Sequence, residues 1–160
     1  MTEHDIYAQI ADYMRYQYPD VIYRFDLAAD LKLSIGQARK HKRLQHYRGY
    51  PDMFIAEPYC RVHESMATSD DKTRAAIAGY LEEYNGLFLE IKKPGTRIFT
   101  KKGLLVADGH IREQYDMLED LRQRRYKAEF AIGFDEAKRI IDEYLNDGRK
   151  ETNTETSQVC

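Results

Sequence analysis

The chain has no tryptophan, only two cysteines and four prolines, and little net charge at -2 over 160 residues. It also lacks any apolar run near the roughly 18 residues that would cross a bilayer, and its N-terminus has no signal-peptide core. A cytoplasmic protein with no membrane partner is the expectation. Two cysteines, Cys60 and Cys160, allow one disulfide at most and exclude a disulfide-framed scaffold. Nothing points to an oxidising compartment, so both are expected as free thiols. Cys60 and His63 find no second ligand pair at finger spacing, which argues against a zinc finger. The missing tryptophan is offset by 13 tyrosines. Bases can stack on tyrosine, but most of these fall at helix-core spacing and are expected to pack.

What is present is ordinary for a globular chain: 32% charged and 42% hydrophobic residues. A single domain of this length buries about two thirds of its unfolded surface. The basic residues are unevenly spread. Six Lys or Arg and no acid fall between Leu31 and Pro51, five between Lys92 and Ala107, and four between Leu121 and Ala128. One such block is usually a solvated face, but three around one site point to a polyanion.

That site is centred on Leu87-Phe88-Leu89-Glu90-Ile91-Lys92-Lys93. As a strand it turns Leu87, Leu89 and Ile91 to one face and Phe88, Glu90 and Lys92 to the other. Charged groups are seldom buried unless paired or holding a metal, so an acid and a base in so apolar a run ask for a divalent cation. Upstream, Asp52 stands at the start of the short apolar run Met53-Phe54-Ile55. A hard cation takes one or two carboxylates, neutral oxygens and water. Asp52 and Glu90 supply the carboxylates, the Ile91 carbonyl a neutral oxygen, and Lys92 a positive group beside a bound water.

Pro51-Asp52 followed by Glu90-Ile91-Lys92 resembles the PD-(D/E)XK nuclease signature, and the longer frame resembles its VRR-NUC branch. The pieces are residues 48–54, 85–93, Gln114 in a helix, and 131–137 before a last helix, so the likeness spans about residues 3–146. It implies an α/β fold with a restriction-endonuclease-like core, a central mixed β-sheet flanked by helices. It further implies a Holliday-junction-resolvase-like deoxyribonuclease dependent on Mg²⁺ or Mn²⁺, acting in a bacterial or phage-infected cytoplasm and leaving a 5′-phosphate and a 3′-hydroxyl. Asp52, Glu90, Lys92 and Gln114 would be catalytic, with Gln114 orienting the scissile phosphate or a metal-bound water. In the resembled family the first helix adds a group to the metal shell, here Glu3 or Gln9. Branched or flapped DNA would be the substrate, and cutting both strands of a junction would need a homodimer. A second class of reading is a nucleic-acid-binding or assembly module that keeps the fold without hydrolysis. A third makes Glu90 and Lys92 a buried ion pair in an unrelated α/β protein, a costly arrangement.

Along the chain, residues 2–18 suit an amphipathic helix through Ile6, Ile10, Tyr13 and Met14, ended by Pro19. Residues 21–25 suit a strand. Ser34 with Gln37 three on reads as the cap of a basic helix to about Leu44. Its Arg39, Lys40, Lys42 and Arg43, with Arg48, Lys93, Arg97, Lys101 and Lys102, are the expected nucleic-acid contacts. Residues 57–84 read as an insertion ending in a helix over 70–84. A hairpin is expected over 97–106, a helix over 110–125, a strand over 127–132 and a helix over 134–145. One domain, 1–147, is then followed by a polar tail, 148–160, expected to be disordered.

Overall fold

The computed structural model describes residues 2–26, 34–45, 47–62 and 81–149. The first helix, α1 (Glu3–Gln17), starts where local chemistry allows it. The Thr2 hydroxyl accepts from the Asp5 N–H at 3.2 Å, and the Asp5 carboxylate accepts from the Thr2 N–H at 2.7 Å. This reciprocal cap satisfies two donors that a helix start leaves open. Ile6, Ile10 and Met14 then fall on one fully buried stripe. Ser34 and Gln37 cap α2 (Ile35–Leu44) in the same reciprocal way.

Four strands form the central sheet in the order β1 (Tyr23–Phe25), β2 (Met53–Ile55), β5 (Leu87–Lys92) and β6 (Lys127–Ile132). The first three run antiparallel and β5–β6 is parallel, so the sheet is mixed as expected. Parallel pairing needs a crossover, and α3 (Gly109–Gln123) supplies it. Strand alternation then sorts the core into two layers. Met53, Ile55, Leu87, Leu89, Ile91 and Ala131 face α1 and the last helix, α4 (Gly133–Arg149). Phe88 and Ala128 face Leu118 and Leu121 of α3. The helix stripe Ala137, Ile140, Ile141, Tyr144 and Leu145 is buried as its spacing predicts.

Helices α1 and α4 are tied by one carboxylate. Asp142 Oδ1 accepts from the hydroxyls of Tyr13 (2.5 Å) and Tyr18 (2.7 Å), and Oδ2 accepts from Lys138 Nζ at 2.5 Å. Burial works against the charge, yet these donors outweigh it and hold the Asp142 carboxyl below the usual carboxylate range. A lowered folded-state pKa gives stability that is present above the unfolded value and lost as pH falls through the folded one. Asp142→Ala should therefore cost about 2–3 kcal/mol near pH 7, read as a lower urea midpoint, and the difference should shrink at acid pH.

Three expectations change. Residues 81–84 are not the end of a helix but β4 (Leu81–Tyr84), paired antiparallel with β3 (Tyr59–Val62) in a separate ribbon. Helical spacing lost there to cross-strand contacts: Tyr59 meets Tyr84, and Arg61 lies opposite Glu82. The rest of that expected helix lies outside the described residues. Tyr59 also stacks on Tyr144, whose hydroxyl donates to the Glu57 carbonyl at 2.6 Å, so the ribbon is seated on α4. Cys60, expected as a free thiol, is disulfide-bonded. Cys160 lies outside the described residues. The last helix continues to Arg149, past the expected start of the tail, the remainder of which also lies outside them. Over 97–106 the expected hairpin closes on a single bridge, Phe99 with Leu105.

Candidate functional site

The β2–β5 register decides where the acids go. Met53 lies opposite Leu89, so Asp52, one residue earlier, comes across from Glu90 near the C-terminal end of β5. Opposed residues of an antiparallel pair project to the same side. Among the described residues, the buried polar or charged side chains are Asp52 (8% exposed), Glu90 (1%), Lys92 (8%) and Gln114 (5%). These are the four expected catalytic residues, and they meet.

Their contacts form one network. Asp52 Oδ2 accepts from the Ile91 N–H at 2.7 Å, and Lys92 Nζ donates to Glu90 Oε1 at 2.8 Å. Gln114 Nε2 donates to the same Glu90 oxygen and lies 3.2 Å from His110 Nε2. An amide nitrogen carries two hydrogens, so one serves Glu90 and the other His110, the ring accepting at Nε2. Gln114 Oε1 is thereby turned inward. It and Glu90 Oε2 are buried with no hydrogen-bond partner.

Electrostatics follow from this crowding. Burial pushes the Glu90 carboxyl up to about 8, and the nearby Asp52 charge adds to the shift while Lys92 opposes it. Burial also raises Asp52, against hydrogen bonds from the Ile91 N–H and the Tyr7 hydroxyl. Two buried acids that resist ionisation, beside two buried oxygens without a donor, form a pocket that a cation would satisfy. No group of three or more His, Cys, Asp and Glu side chains that could hold a metal gathers among the described residues. Two carboxylates with amide, carbonyl and water oxygens fit Mg²⁺ or Mn²⁺ better than a metal demanding three or four side chains.

The two residues expected from α1 part company. Glu3 is half-buried and close enough for its charge to act on Asp52. Gln9 is exposed and lies two residues, about 200°, around the helix from Tyr7. Since Tyr7 reaches Asp52, Gln9 faces the other way, and helix geometry removes it from the site. Tyr7 is the residue that sequence reasoning missed. Its signal was the i, i+4 spacing from Glu3, which places both on one helix face.

The loop before Asp52 is pressed against α3. Gly49 has φ +68°, and a Cβ there would sit 2.9 Å from the Glu113 carbonyl oxygen and 3.0 Å from the Gln114 nitrogen. Asp108 caps α3 by accepting from the His110 and Ile111 N–H groups at 2.9 and 3.0 Å. The expected nucleic-acid contacts all lie on the surface. Arg39, Lys40, Lys42 and Arg43 project from α2, whose described side chains are all exposed; Arg48, Lys93, Arg97, Lys101 and Lys102 are exposed as well. No helix among the described residues is long and apolar enough to cross a membrane.

No protein-family model matches the chain, and neither does any curated protein. A solved structure described as a "VRR_NUC domain protein" does, with 21% identity, a TM-score of 0.55, and coverage of 92% of this chain and 91% of that one. Over nearly its whole length, therefore, the chain has the fold of that VRR_NUC domain protein, the mixed-sheet α/β architecture that the resemblance implied.

Proposed function

We propose that the protein is a metal-dependent DNA endonuclease that hydrolyses phosphodiester bonds. The observation that carries this reading is the coincidence of the buried polar side chains Asp52, Glu90, Lys92 and Gln114 in one network with two unpartnered oxygens. A fold shared with a VRR_NUC domain protein supports it, although fold alone does not decide chemistry. Asp52, Glu90 and the Ile91 carbonyl would hold Mg²⁺ or Mn²⁺, with Glu3 at its margin. When bound, the ion would stabilise charge growing on the phosphate and acidify a water.

The chain's own residues do the rest. Lys92 Nζ, held by Glu90 at 2.8 Å, would donate to the attacking water and hold it in place while its proton leaves to bulk solvent. Gln114 Oε1 accepts from that water and sets its line, while the contact with His110 keeps the amide from turning over. Tyr7 and the Ile91 N–H hold the Asp52 carboxylate in place. The exposed arginines and lysines of α2, with Arg48, Lys93, Arg97, Lys101 and Lys102, would meet the phosphate backbone. Branched or flapped DNA is the substrate class, a homodimer would serve paired cuts, and a cytoplasmic setting suits both.

The test is a panel of single-stranded, duplex, flap and four-way DNAs incubated with Mg²⁺ or Mn²⁺. Wild type should cut at least one, chelation should stop it, and Asp52→Ala should leave that substrate intact. Binding should weaken linearly with log salt, at a slope of about -0.9 for each duplex phosphate contacted. Equal cutting by wild type and Asp52→Ala would refute the assignment. Binding without cutting would make the protein a nucleic-acid-binding module.

A further inference from the structure

Beside the site lies a cleft of about 440 Å³ that the proposed chemistry does not use. That volume is within the roughly 300–1,000 Å³ of small-ligand pockets. Phe54 and Tyr50 give it aromatic walls, Leu44 an apolar lip, and Arg24, Asp26 and Gln45 a polar rim. Two of these groups are placed as no stability argument requires. Leu44 ends α2 at 77% exposure, and Tyr50 is 43% exposed although its ring lies edge-on to Phe88 at 5.7 Å. The cleft is joined directly to the metal-binding carboxylate. Tyr50 and Pro51 immediately precede Asp52, and the Asp26 N–H donates to the Asp52 carbonyl at 2.8 Å.

Resting on the nuclease reading above, we propose that this cleft binds one unpaired nucleobase of the DNA, next to the bond to be cut. The chemistry favours a base over other occupants. Aromatic walls with a cation, a carboxylate and an amide at the rim match a flat heterocycle whose edge both donates and accepts. The Asp26 carboxylate disfavours a phosphate inside, while the basic helix ending at Leu44 and the neighbouring Arg48 suit the backbone outside. A base stacked in a duplex cannot enter, so the cleft would select DNA with an unpaired nucleotide at the junction.

The experiment measures binding, with Ca²⁺ replacing Mg²⁺, to three DNAs: a perfect duplex, the same duplex with one unpaired 2-aminopurine, and the same with an abasic residue there. The 2-aminopurine is moved along the strand in turn. Wild type should prefer the unpaired base at one position and quench its fluorescence, and the abasic residue should abolish the preference. Tyr50→Ala should lose about ten- to a hundred-fold on that DNA, the worth of one base–aromatic stack, with the perfect duplex nearly unchanged. Tyr50→Phe should retain the preference. Leu44→Asp, at a position 77% exposed, should lose it by about tenfold. If wild type binds and cuts DNA but shows no preference, or if Tyr50→Ala and Leu44→Asp both keep it, the base-pocket inference falls and the nuclease reading stands. If wild type binds none of these DNAs, the base-pocket inference falls, and the nuclease reading is decided by the flap and four-way DNAs of the cutting panel.

Discussion

Glu90→Gln should lose at least about a thousand-fold in cation-dependent cutting and yet be more stable than wild type at pH 8 without cation. The two effects have one origin. In the cation-free protein the Glu90 carboxyl is almost wholly buried beside Asp52, and its pKa is raised to about 8. Between the unfolded value near 4.5 and the folded one, the native state holds a proton that the unfolded chain has released. Stability is then full below the unfolded value and declines as pH rises through the folded one. The expected loss is on the order of 2–4 kcal/mol between pH 5 and 8, about 5–10 °C in Tm for a chain of this size. Glutamine cannot ionise, so its melting curve should be flat over that window. Mn²⁺ should raise the Tm of wild type more at pH 8 than at pH 5, and should do little for Glu90→Gln. A wild-type Tm that rises from pH 5 to 8 without cation would contradict a Glu90 carboxyl whose burial outweighs its contact with Lys92.

Gly49→Ala should lower Tm by about 6–12 °C and slow cutting by about a hundred-fold. The residue adopts φ +68°, where a Cβ costs about 1–2 kcal/mol, and that Cβ would fall 2.9–3.0 Å from the backbone of Glu113 and Gln114. Backbone atoms inside a helix cannot step aside as a flexible side chain can, so the loop must lift by a few tenths of an ångström or more, at a total of about 3 kcal/mol. The loop carries Asp52 three residues on, and α3 carries Gln114, so the displacement reaches both sides of the site. Gly36→Ala is the control. Nothing lies within 4 Å of a Cβ there, and in the first turn of the exposed α2 it should stabilise by up to about 1 kcal/mol. Opposite signs for the same chemical change would separate the loop's contact with α3 from any general effect of adding a methyl group.

The site was legible because its geometry is periodic. A strand reading of residues 87–92 puts Glu90 and Lys92 on one face, and a short apolar run after Asp52 makes a second strand whose start can meet them. Pairing Met53 with Leu89 then brings Asp52 opposite Glu90. Gln114 was found only through the resemblance, since one glutamine in a helix says nothing by itself. Tyr7 was passed over because a tyrosine one residue after Ile6 in an amphipathic helix looks like packing. Gln9 entered only through the resemblance, as an alternative to Glu3, and its exposed place on α1 turns it away from Asp52. The ribbon of β3 and β4 was hidden because Leu81-Glu82-Glu83-Tyr84 has no strand alternation strong enough to outweigh a helical spacing; its partner, 19 or more residues away in sequence, supplies the stabilisation.

Local pattern was enough for the cap of α2, the buried stripes of α1 and α4, and the common face of Glu90 and Lys92. Each of these depends on residues within a few positions of one another, where chain geometry leaves few choices. The order of the strands, the inward turn of the Gln114 oxygen, the seating of the Asp52 loop on α3 and the open cleft beside Tyr50 were decided only in the folded chain. Those depend on groups tens of residues apart, whose meeting is set by how two layers of helices close over one sheet.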